Sequence, residues 1–409
     1  MPRRTVREER LDPVTLGRLR AFHHAAMAGG MTAAARTLRL TQPAVSRAVQ
    51  GLEEALGTTL MERRGDGSGL TEDGRVLARR IDRFFSRLAG AVGAATGRDP
   101  ASEAVARTVR ALGDAHLRSL TAIWTAETFR RAAAALGVAE PTLHRAARDL
   151  EQRVGVPLYR RTRDGVGLSP TGAELARRFA LAGAEIRAAR EELSLGRGTA
   201  AAVVTIGVLA LAPVRLVARA AETLLERHPW ARLTIREGPY AALADALRSG
   251  SLDVIFGALR APPPFADLTE EALFDDPYRV ACRSGHPLAA RRDLAPADLR
   301  PYGWVVPTAS LPRRAVIDRI VTGWDLPRRV QIEADSLGGT VAALAASDRL
   351  SLLPQGCVIG EGGGDSLAVL DLAVPHQRRT VGLTTHADWL PTAVQADFVG
   401  LLRSATAAA

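Results

Sequence analysis

An internal repeat in the first 200 residues constrains the fold more than any other feature of this sequence. The segment Gln42–Arg47 aligns with Glu140–Arg145, and a constant offset of 98 residues continues on both sides without a gap. Identical pairs at this offset include Ala34 and Ala132, Leu52 and Leu150, Gly57 and Gly155, and Gly74 and Gly172. The chain therefore carries one structural unit twice, and we call the two units copy one and copy two.

Each copy has the pattern of two helices joined by a tight turn and followed by a β-hairpin. In copy one we predict helices over Thr32–Arg39 and Gln42–Leu56, with Thr41 capping the second helix through its hydroxyl. A glycine-rich tip at residues 65–69 separates two short strands, which is the shape of a wing. The buried face of the second helix is predicted from apolar residues at spacings of four and three, namely Val45, Val49 and Leu52.

The opposite face of this second helix is polar and suited to nucleic acid. A helix fits the major groove of B-form DNA, where Gln, Ser and Arg side chains bind base edges, and its positive end favours a phosphate. Arginines before the wing tip can reach the backbone or the minor groove. We predict DNA contacts in copy one at Thr32, Thr41, Gln42, Pro43, Ala44, Ser46, Arg47, Gln50, Arg63 and Arg64. The alternative is a helical bundle used only for protein contacts.

Copy two differs on this face. Ala139, Glu140 and His144 stand where copy one has Thr41, Gln42 and Ser46, so a cap is lost and a carboxylate faces the phosphates. We predict DNA contacts in copy two at Thr142, His144, Arg145, Arg148 and Arg161. A weaker or differently specific DNA contact and a structural or dimerising role both remain open for this copy.

The charge distribution separates the two halves of the chain. Residues 1–200 hold 33 arginines and 22 acidic residues, whereas residues 201–409 hold 21 and 22. This difference indicates a polyanionic partner for the front half, with a merely solvated arginine-rich surface as the alternative. The chain has no lysine, which excludes Schiff-base enzymes, lysine-containing phosphate-binding loops and kinases.

Other features of the sequence argue against several classes of protein and site. With two cysteines, Cys282 and Cys357, there is no disulfide framework and no closely spaced zinc cage. A charged N-terminus and the lack of a long apolar stretch argue against a signal peptide, a transmembrane helix and membrane association. Catalytic motifs are absent. We expect a cytoplasmic protein that is not an enzyme and has no cofactor and no metal site.

From about residue 200 the pattern alternates between strands and helices. Strand and helix signals in β-α-β-α-β order predict a parallel sheet with right-handed crossovers. Such sheets bind ligands at the carboxyl ends of their strands, often between two lobes. At these ends we predict effector contacts at Leu209, Ala210, Leu211, Arg260, Thr308, Ser310 and Asp335.

Both halves resemble one family. In the front half the informative residues are Thr32, Ala34-Ala35, Leu38, Thr41–Arg47, Leu52-Glu53, Leu56-Gly57, Leu60, Glu62-Arg63, Leu70-Thr71 and Gly74. Together they resemble the N-terminal winged helix-turn-helix of LysR-type transcriptional regulators. In the rear half, His228-Pro229, Glu237-Gly238, Gly250–Val254, Ser284–Ala289 and Leu353-Pro354 resemble the effector domain of that family, which is similar to periplasmic binding proteins, with most likeness to its sugar- and aromatic-responsive branch.

The resemblance implies roles for particular residues. Residues Gln42–Ala44, Ser46 and Arg47 would face DNA, Arg63 would support the wing, and the amphipathic helix after each module would serve dimerisation. The chain departs from the family by carrying two modules instead of one. It also has Leu209–Ala212 where the family usually places a small polar residue after the first strand, which puts the usual anion contact in doubt.

The predicted fold is a multidomain α/β protein with two all-α-rich winged helix-turn-helix modules and a two-lobed, periplasmic-binding-protein-like effector domain. The modules are predicted over residues 12–75 and 110–173, and their linker helices over 76–97 and 174–197. The effector domain is predicted over 202–405, with lobe I at 202–262 and 378–405 and lobe II at 263–377.

The predicted function is ligand-responsive, sequence-specific regulation of transcription. Double-stranded DNA, a small-molecule effector, a second or further copies in a homodimer or homotetramer, and RNA polymerase are the candidate partners. The alternative is a small-molecule-binding protein whose helical front half serves oligomerisation.

Overall fold

The computed structural model describes residues 14–64, 67–162, 165–195, 202–260, 262–327, 329–360, 366–374 and 378–407. The chain divides into two compact units. The first comprises the residues up to Ala202 together with Arg248–Ser251, and the second comprises the remainder from Val203 onward. The two units are described separately below.

Copy one and copy two have the same order of elements, and every helix and strand of copy two begins 98 residues after its counterpart. In copy one these elements are α1 (Leu16–Met27), α2 (Met31–Leu38), α3 (Gln42–Leu56), β1 (Met61–Arg64), β2 (Gly67–Leu70) and α4 (Glu72–Thr96). A connecting helix, α5 (Glu103–Ala111), follows. In copy two the elements are α6 (Asp114–Ala126), α7 (Phe129–Leu136), α8 (Glu140–Val154), β3 (Tyr159–Thr162), β4 (Gly165–Leu168) and α9 (Pro170–Leu195).

A close contact between the hairpin and the following long helix is the same in both copies. A Cβ added to Gly74 would lie 2.0 Å from the carbonyl oxygen of Leu60, and one added to Gly172 would lie 2.0 Å from that of Leu158. No side chain fits at that distance, so glycine is required at both positions. The matched glycines of the sequence repeat therefore mark one packing contact used twice.

The helix starts correct one prediction. Thr41 occupies the N-cap position of α3, but its hydroxyl makes no capping hydrogen bond. The replacement of Thr41 by Ala139 therefore removes no cap, and the predicted loss of stability in copy two was wrong. Side-chain caps do occur at the long helices, where Gly74 N donates to Thr71 Oγ1 over 2.9 Å and Gly172 N donates to Ser169 Oγ over 3.0 Å. The predicted end of α2 also shifts by one residue because Arg39 adopts a left-handed φ of 54°.

The two copies share one hydrophobic core. A single cluster of buried residues runs from Val14 and Phe22 in copy one, through Val105 of α5, to Phe179 and Leu193 of α9. Two smaller clusters pack the first three helices of each copy against one another. Because the large cluster contains α4 and α9 together, neither copy has a complete core of its own.

The second unit is built around a mixed sheet. Its elements are β5 (Val203–Leu209), α10 (Val214–Arg227), β6 (Arg232–Gly238), α11 (Tyr240–Arg248), β7 (Val254–Ala258), β8 (Leu268–Arg283), β9 (Trp304–Val306), α12 (Pro312–Gly323), β10 (Val330–Glu333), α13 (Leu337–Ala345), β11 (Ser351–Pro354), α14 (Gln355–Gly360), β12 (Leu367–Val369), β13 (Arg378–His386) and α15 (Ala393–Ala407). The strand order is β11-β8-β13-β7-β5-β6, and β12 also pairs with β8. As predicted, β5 pairs in parallel with both β6 and β7.

One long strand connects the two parts of this sheet. The first half of β8 pairs antiparallel with β13 as far as Pro277, and its second half pairs antiparallel with β11 and β12. The short parallel pair of β9 and β10 forms a separate sheet. The sequence analysis did not anticipate β8 or β13, because their Asp, Glu and Arg residues obscure the apolar pattern of a strand.

Candidate nucleic-acid interface and effector site

The predicted reading face of copy one is solvent-facing. On α3 the buried residues are Val45, Val49, Gly51 and Leu52, which leaves the opposite side free of core contacts. Exposed residues on or beside that side are Thr41, Gln42, Pro43, Arg47 and Gln50, and Ala44 and Ser46 are half-buried. Gln42 Nε2 donates to Ser46 Oγ over 3.0 Å, so two of the predicted readers form one polar pair.

The remaining predicted contacts of copy one lie outside α3. Thr32 is exposed at the start of α2. Arg63 and Arg64 belong to β1, which pairs with β2 in a two-stranded hairpin. The side chains of Arg63 and Arg64 and the hairpin tip at residues 65–66 lie outside the described residues.

The corresponding face of copy two contains more internal contacts. Thr142, Arg145 and Arg148 are exposed on α8, and Arg161 is exposed on β3. His144 instead stacks on the ring of Phe129, with 4.1 Å between ring centroids and 6° between the ring planes. Its Nε2 lies 3.6 Å from the Glu140 carboxylate.

The position equivalent to Phe129 is Met31 in copy one, where no aromatic ring is available for stacking. In copy two the stacking and the nearby carboxylate both hold the imidazole of His144 in one orientation. Position 46 and position 144 therefore differ in their contacts as well as in their chemistry.

Three of the predicted effector residues meet in the second unit. Thr308 follows β9 and Asp335 follows β10, and because these strands are parallel their carboxyl ends lie side by side. Thr308 N donates to Asp335 Oδ1 over 2.9 Å, and its hydroxyl donates to Asp335 Oδ2 over 3.0 Å. The hydroxyls of Thr308 and Ser310 are 2.9 Å apart. The exposed Ser310 and Asp335 and the half-buried Thr308 form one polar cluster.

The turn after β5 contributes in a different way. The side chains of Leu209 and Leu211 are buried in two separate apolar clusters, so they do not project as ligand contacts, while Ala210 is exposed. Leu211 has a left-handed φ of 64°. Its carbonyl accepts hydrogen bonds from the Cys357 thiol, over 3.0 Å, and from the Arg379 guanidinium.

Arg260 has contacts of its own. Its backbone N–H donates to both carboxylate oxygens of Glu270 at 2.9 and 3.0 Å, and its guanidinium lies 4.9 Å from the ring centroid of Tyr240. Burial raises the pKa of Glu270, and the neighbouring Arg260 opposes this rise. Arg260 is therefore held against the Tyr240 ring.

The sequence analysis missed a second arginine beside the Thr308 cluster. The guanidinium of Arg313, in the first turn of α12, donates to the carbonyls of Ala334 and Asp335, each over 3.1 Å. Burial lowers the pKa of Arg313, and the positive charge of Arg379 lowers it further, while Tyr278 and Asp335 act in the opposite direction. The signal available in the sequence was an arginine directly after Pro312, at a helix start next to a predicted strand end.

Arg379 belongs to the same surroundings. It forms an ion pair with the buried Asp276 at 2.8 Å, and Asp276 also accepts a hydrogen bond from Gly356 N at the start of α14 over 2.9 Å. Burial raises the pKa of Tyr278, whereas the positive charges of Arg379 and Arg313 lower it. Arg313, Arg379 and Tyr278 therefore lie near one another, together with the carboxylates of Asp276 and Asp335.

This architecture defines a class of protein that joins DNA-reading helices to a domain with a small-molecule site. Comparison with known proteins identifies the family. Residues 16–75 and 115–173 each match the model for the bacterial regulatory helix-turn-helix protein of the lysR family, and residues 197–407 match the LysR substrate binding domain. The chain belongs to the LysR family of transcriptional regulators, and it is a ligand-responsive, DNA-binding regulator of transcription.

Individual relatives agree with this assignment. The HTH-type transcriptional regulator GalR of Pseudomonas putida is 31% identical over 388 residues, which cover 93% of this chain and 94% of that protein. PcaQ of Agrobacterium fabrum is 28% identical over 68% of this chain and 89% of its own length. A full-length OxyR variant from Pseudomonas aeruginosa has a similar fold, with a TM-score of 0.54 and 24% identity over 71% of this chain and 93% of that one.

Among the described residues, none of the helices is both long and apolar enough to cross a membrane. In the same residues, His, Cys, Asp and Glu do not gather into a group of three suited to a metal ion.

Proposed function

We propose that copy one is the principal reader of the DNA sequence and that copy two is a second reader of different preference. On this proposal both copies are winged helix-turn-helix modules, at residues 12–75 and 110–173, and the long helices α4 and α9, which begin four residues before the predicted positions 76 and 174, are their linker helices. The observation that carries the proposal is the exposed polar face of α3, where Gln42, Arg47 and Gln50 lie opposite the buried Val45 and Val49. Side chains of these types form paired hydrogen bonds with adenine and guanine edges in the major groove.

The remaining predicted contacts support the same docking. Thr32, Thr41 and Pro43 lie beside the exposed face in copy one, and Thr142, Arg145, Arg148 and Arg161 are exposed in copy two. Contacts from these positions to the phosphates would orient the helices without selecting bases. Arg63 and Arg64 would reach the backbone or the minor groove from the wing.

The decisive experiment is genomic footprinting with the purified full-length protein, followed by binding assays of Arg47→Ala on the footprinted operator. Loss of affinity together with relaxed preference at one base position supports direct reading by α3. Unchanged affinity and unchanged specificity would remove copy one from base recognition.

We further propose that the second unit is a two-lobed effector domain at residues 202–405, similar to periplasmic binding proteins. Lobe I comprises residues 202–262 and 378–405 and lobe II residues 263–377, and the antiparallel pairing of β8 with β13 links the two lobes. The effector would bind beside Thr308, Ser310, Asp335 and Arg313, with the exposed Ala210 and the backbone of Leu211 at the turn after β5. Arg260, whose guanidinium lies over the Tyr240 ring, is a second candidate.

Arg313 indicates an effector that carries a negative charge. Its guanidinium is held by two backbone carbonyls, whereas the neighbouring Arg314 forms ion pairs with Asp318 and Glu333 at 3.1 and 2.7 Å. Carbonyls orient a guanidinium without neutralising it, so a carboxylate or phosphate next to Arg313 gains a charge-assisted hydrogen bond.

These two adjacent arginines offer a matched experiment. A thermal-shift panel of aromatic carboxylates, sugar acids and inorganic phosphate would identify a binding anion, and calorimetry would then compare Arg313→Gln with Arg314→Gln. We expect the first variant to weaken anion binding and the second to leave it unchanged. Equal affinities in both variants would contradict an anion site at Arg313.

Several further aspects belong to this proposal. The family comprises regulators of transcription, and we propose that this chain likewise has no catalytic activity, resident cofactor or metal and acts in the cytoplasm. Its partners would be double-stranded DNA, the effector, further copies of the chain in a homodimer or homotetramer, and RNA polymerase.

A further inference from the structure

The two long helices α4 and α9 pack against each other within one chain. Arg80 contacts Glu192 at 2.7 Å and Glu185 at 3.0 Å, and Arg87 contacts Glu185 at 2.9 Å. Residue numbers rise along α4 as they fall along α9, so the helices are antiparallel. The side chain of Arg80 is 1% exposed and that of Glu185 is 6% exposed, which places these ion pairs inside the shared core.

Two contacts join positions that are equivalent in the repeat. Arg87 and Glu185 are separated by 98 residues, and so are Leu16 and Asp114, where Leu16 N donates to Asp114 Oδ1 over 2.9 Å. In a dimer whose two subunits use the same surface, a residue near the two-fold axis contacts the same residue of the other subunit. These self-equivalent contacts place a pseudo-two-fold axis between the copies, so one chain reproduces the arrangement of a dimer.

The charges at this interface do not obey the two-fold symmetry. Arg80, Arg83 and Arg87 of α4 converge on Glu185 and Glu192 of α9. The positions on α4 equivalent to those glutamates are Arg87 and Ala94. Two α4 helices packed together in this way would bury their arginines against one another without a carboxylate to accept their hydrogen bonds.

The opposite end of the helix pair shows the same asymmetry. Arg178, the equivalent of Arg80, forms its ion pair with Glu174 of its own helix at 2.7 Å. The residue on α4 equivalent to Glu192 is Ala94, which with Ala91, Thr171 and Leu175 lines a cavity of about 300 Å³ between the helices. The carboxylates therefore make α4 specific for α9.

The connection between the helices favours pairing within one chain. A Cβ on Gly93 would lie 2.8 Å from the Arg98 carbonyl oxygen, so the chain turns back tightly on α4. The α5 helix follows, and Arg20 of α1 donates to the carbonyls of Val109 and Leu112 at its end, each over 2.8 Å. Copy one thus holds the segment that leads into copy two.

We propose that one chain is a covalently joined pair of non-identical DNA readers, and that the operator site bound by one chain is therefore non-palindromic, with a different half-site for each copy. This inference rests on the proposed function of the two modules. The α3 face offers Gln42, Ser46 and Arg47, whereas the α8 face offers Glu140, His144 and Arg145. Gln42 and Arg47 suit adenine and guanine edges, whereas copy two offers an imidazole stacked on Phe129 beside a carboxylate, so the two faces select different bases.

The first test compares DNA probes with the unmodified full-length protein. The probes are the footprinted operator and two palindromes, each made by duplicating one of its halves. We expect the natural operator to bind at least about tenfold more tightly than either palindrome. A palindrome that binds equally well or better would overturn the inference but leave DNA recognition intact, whereas a lack of sequence-specific binding to any genomic site would overturn the proposed function itself.

The second test locates the helix pairing without touching the ion pairs. Ala94→Cys and Thr171→Cys place two thiols at one cavity between α4 and α9, and a short bismaleimide can join them in the full-length protein. We expect the double variant to give a cross-linked product of monomer mass, with each single variant as a control. A product of dimer mass from the double variant would show that α4 pairs with a second chain and would overturn the covalent pair.

Discussion

Copy one and copy two are alike in their internal packing and differ in the side chains on their surfaces. Their elements begin at equivalent positions, and Gly74 and Gly172 make the same contact with the preceding hairpin. On the surface, Ser46 of copy one corresponds to His144 of copy two, where the imidazole is stacked on Phe129. The comparison teaches that the two copies share the fold of the module while the chemistry of the exposed faces of α3 and α8 differs.

The physical reason is that substitutions in the core and on the surface change the stability by different amounts. A volume change in a close-packed core destabilises a protein by about 1–5 kcal/mol, whereas most surface substitutions change stability by less than about 0.5 kcal/mol. Because α4 and α9 belong to one chain and are not copies of the same helix, they need not be self-complementary. Arg87 and its equivalent Glu185 accordingly carry opposite charges and form an ion pair.

The largest effects are expected where the copies are alike. We expect Gly74→Ala and Gly172→Ala each to destabilise the protein by about 3 kcal/mol, because the new methyl group meets a backbone carbonyl that cannot move aside. Gly90→Ala is the control, since a Cβ there meets nothing within 4 Å and alanine favours the helix. Chemical denaturation measures the difference. If Gly172→Ala were as harmless as Gly90→Ala, the shared packing of the copies would be refuted.

The next largest effect concerns how much each copy contributes to recognition of the DNA sequence. We expect Arg47→Ala to weaken operator binding by about 1–3 kcal/mol and Arg145→Ala to weaken it less, because His144 and Glu140 already limit the fit of the second face. Fluorescence anisotropy on the operator and on single-base variants gives both affinity and specificity. Each variant should relax the preference in its own half-site. Greater damage from Arg145→Ala would reverse the proposed order of the copies.

A charge exchange at the helix starts sharpens the same comparison. We expect Gln42→Glu to weaken DNA binding and Glu140→Gln to strengthen it, each by about 1 kcal/mol or about fivefold at low salt, because a carboxylate near a phosphate is repelled. The measurement is affinity over a range of salt concentrations, and both effects should shrink as salt rises. Changes of the same sign in the two variants would show that Glu140 has a favourable contact with a base.

The smallest effect concerns the end of α9 where copy two differs from copy one. Burial raises the pKa of Glu174, but hydrogen bonds from Arg177 and Arg178 outweigh it and lower the pKa from 4.5 to about 2. The folded-state pKa is depressed, so the stabilisation is complete above about pH 4.5 and is lost as the pH falls towards 2.

We therefore expect Glu174→Gln to reduce stability by about 1 kcal/mol at neutral pH, a figure discounted because the carboxylate is partly exposed and screened by solvent. Its stability should fall less steeply than that of the unmodified protein between pH 4.5 and pH 2. Denaturation curves at several pH values test this. Copy one provides the contrast, since its equivalent residue is Val76 and cannot titrate. Parallel stability curves for the two proteins would contradict the prediction.

The sequence by itself determined the duplication, the element pattern of each copy and the family. These features are local or periodic: the apolar spacing of Val45, Val49 and Leu52 defines one helix face, and the opposite polar face follows from geometry alone. The strands β5, β6 and β7 were predicted for the same reason, since buried parallel strands are short apolar runs. The meeting of Thr308 with Asp335 followed from their places at the ends of neighbouring strands.

Tertiary structure alone decided which elements meet over long distances. The hydroxyl of Thr41 could cap α3 by its position but does not, and the Leu209 and Leu211 side chains lie at a strand end but are buried. The position of Arg313 is fixed by hydrogen bonds to carbonyls about twenty residues further along the chain. The ion pairs of Arg80 and Arg87 with α9 could not be predicted from the sequence. Helical periodicity shows which face of a helix is apolar, but it does not show which distant helix packs on that face. That choice depends on the complementary charges and on the chain that brings copy two back onto α4.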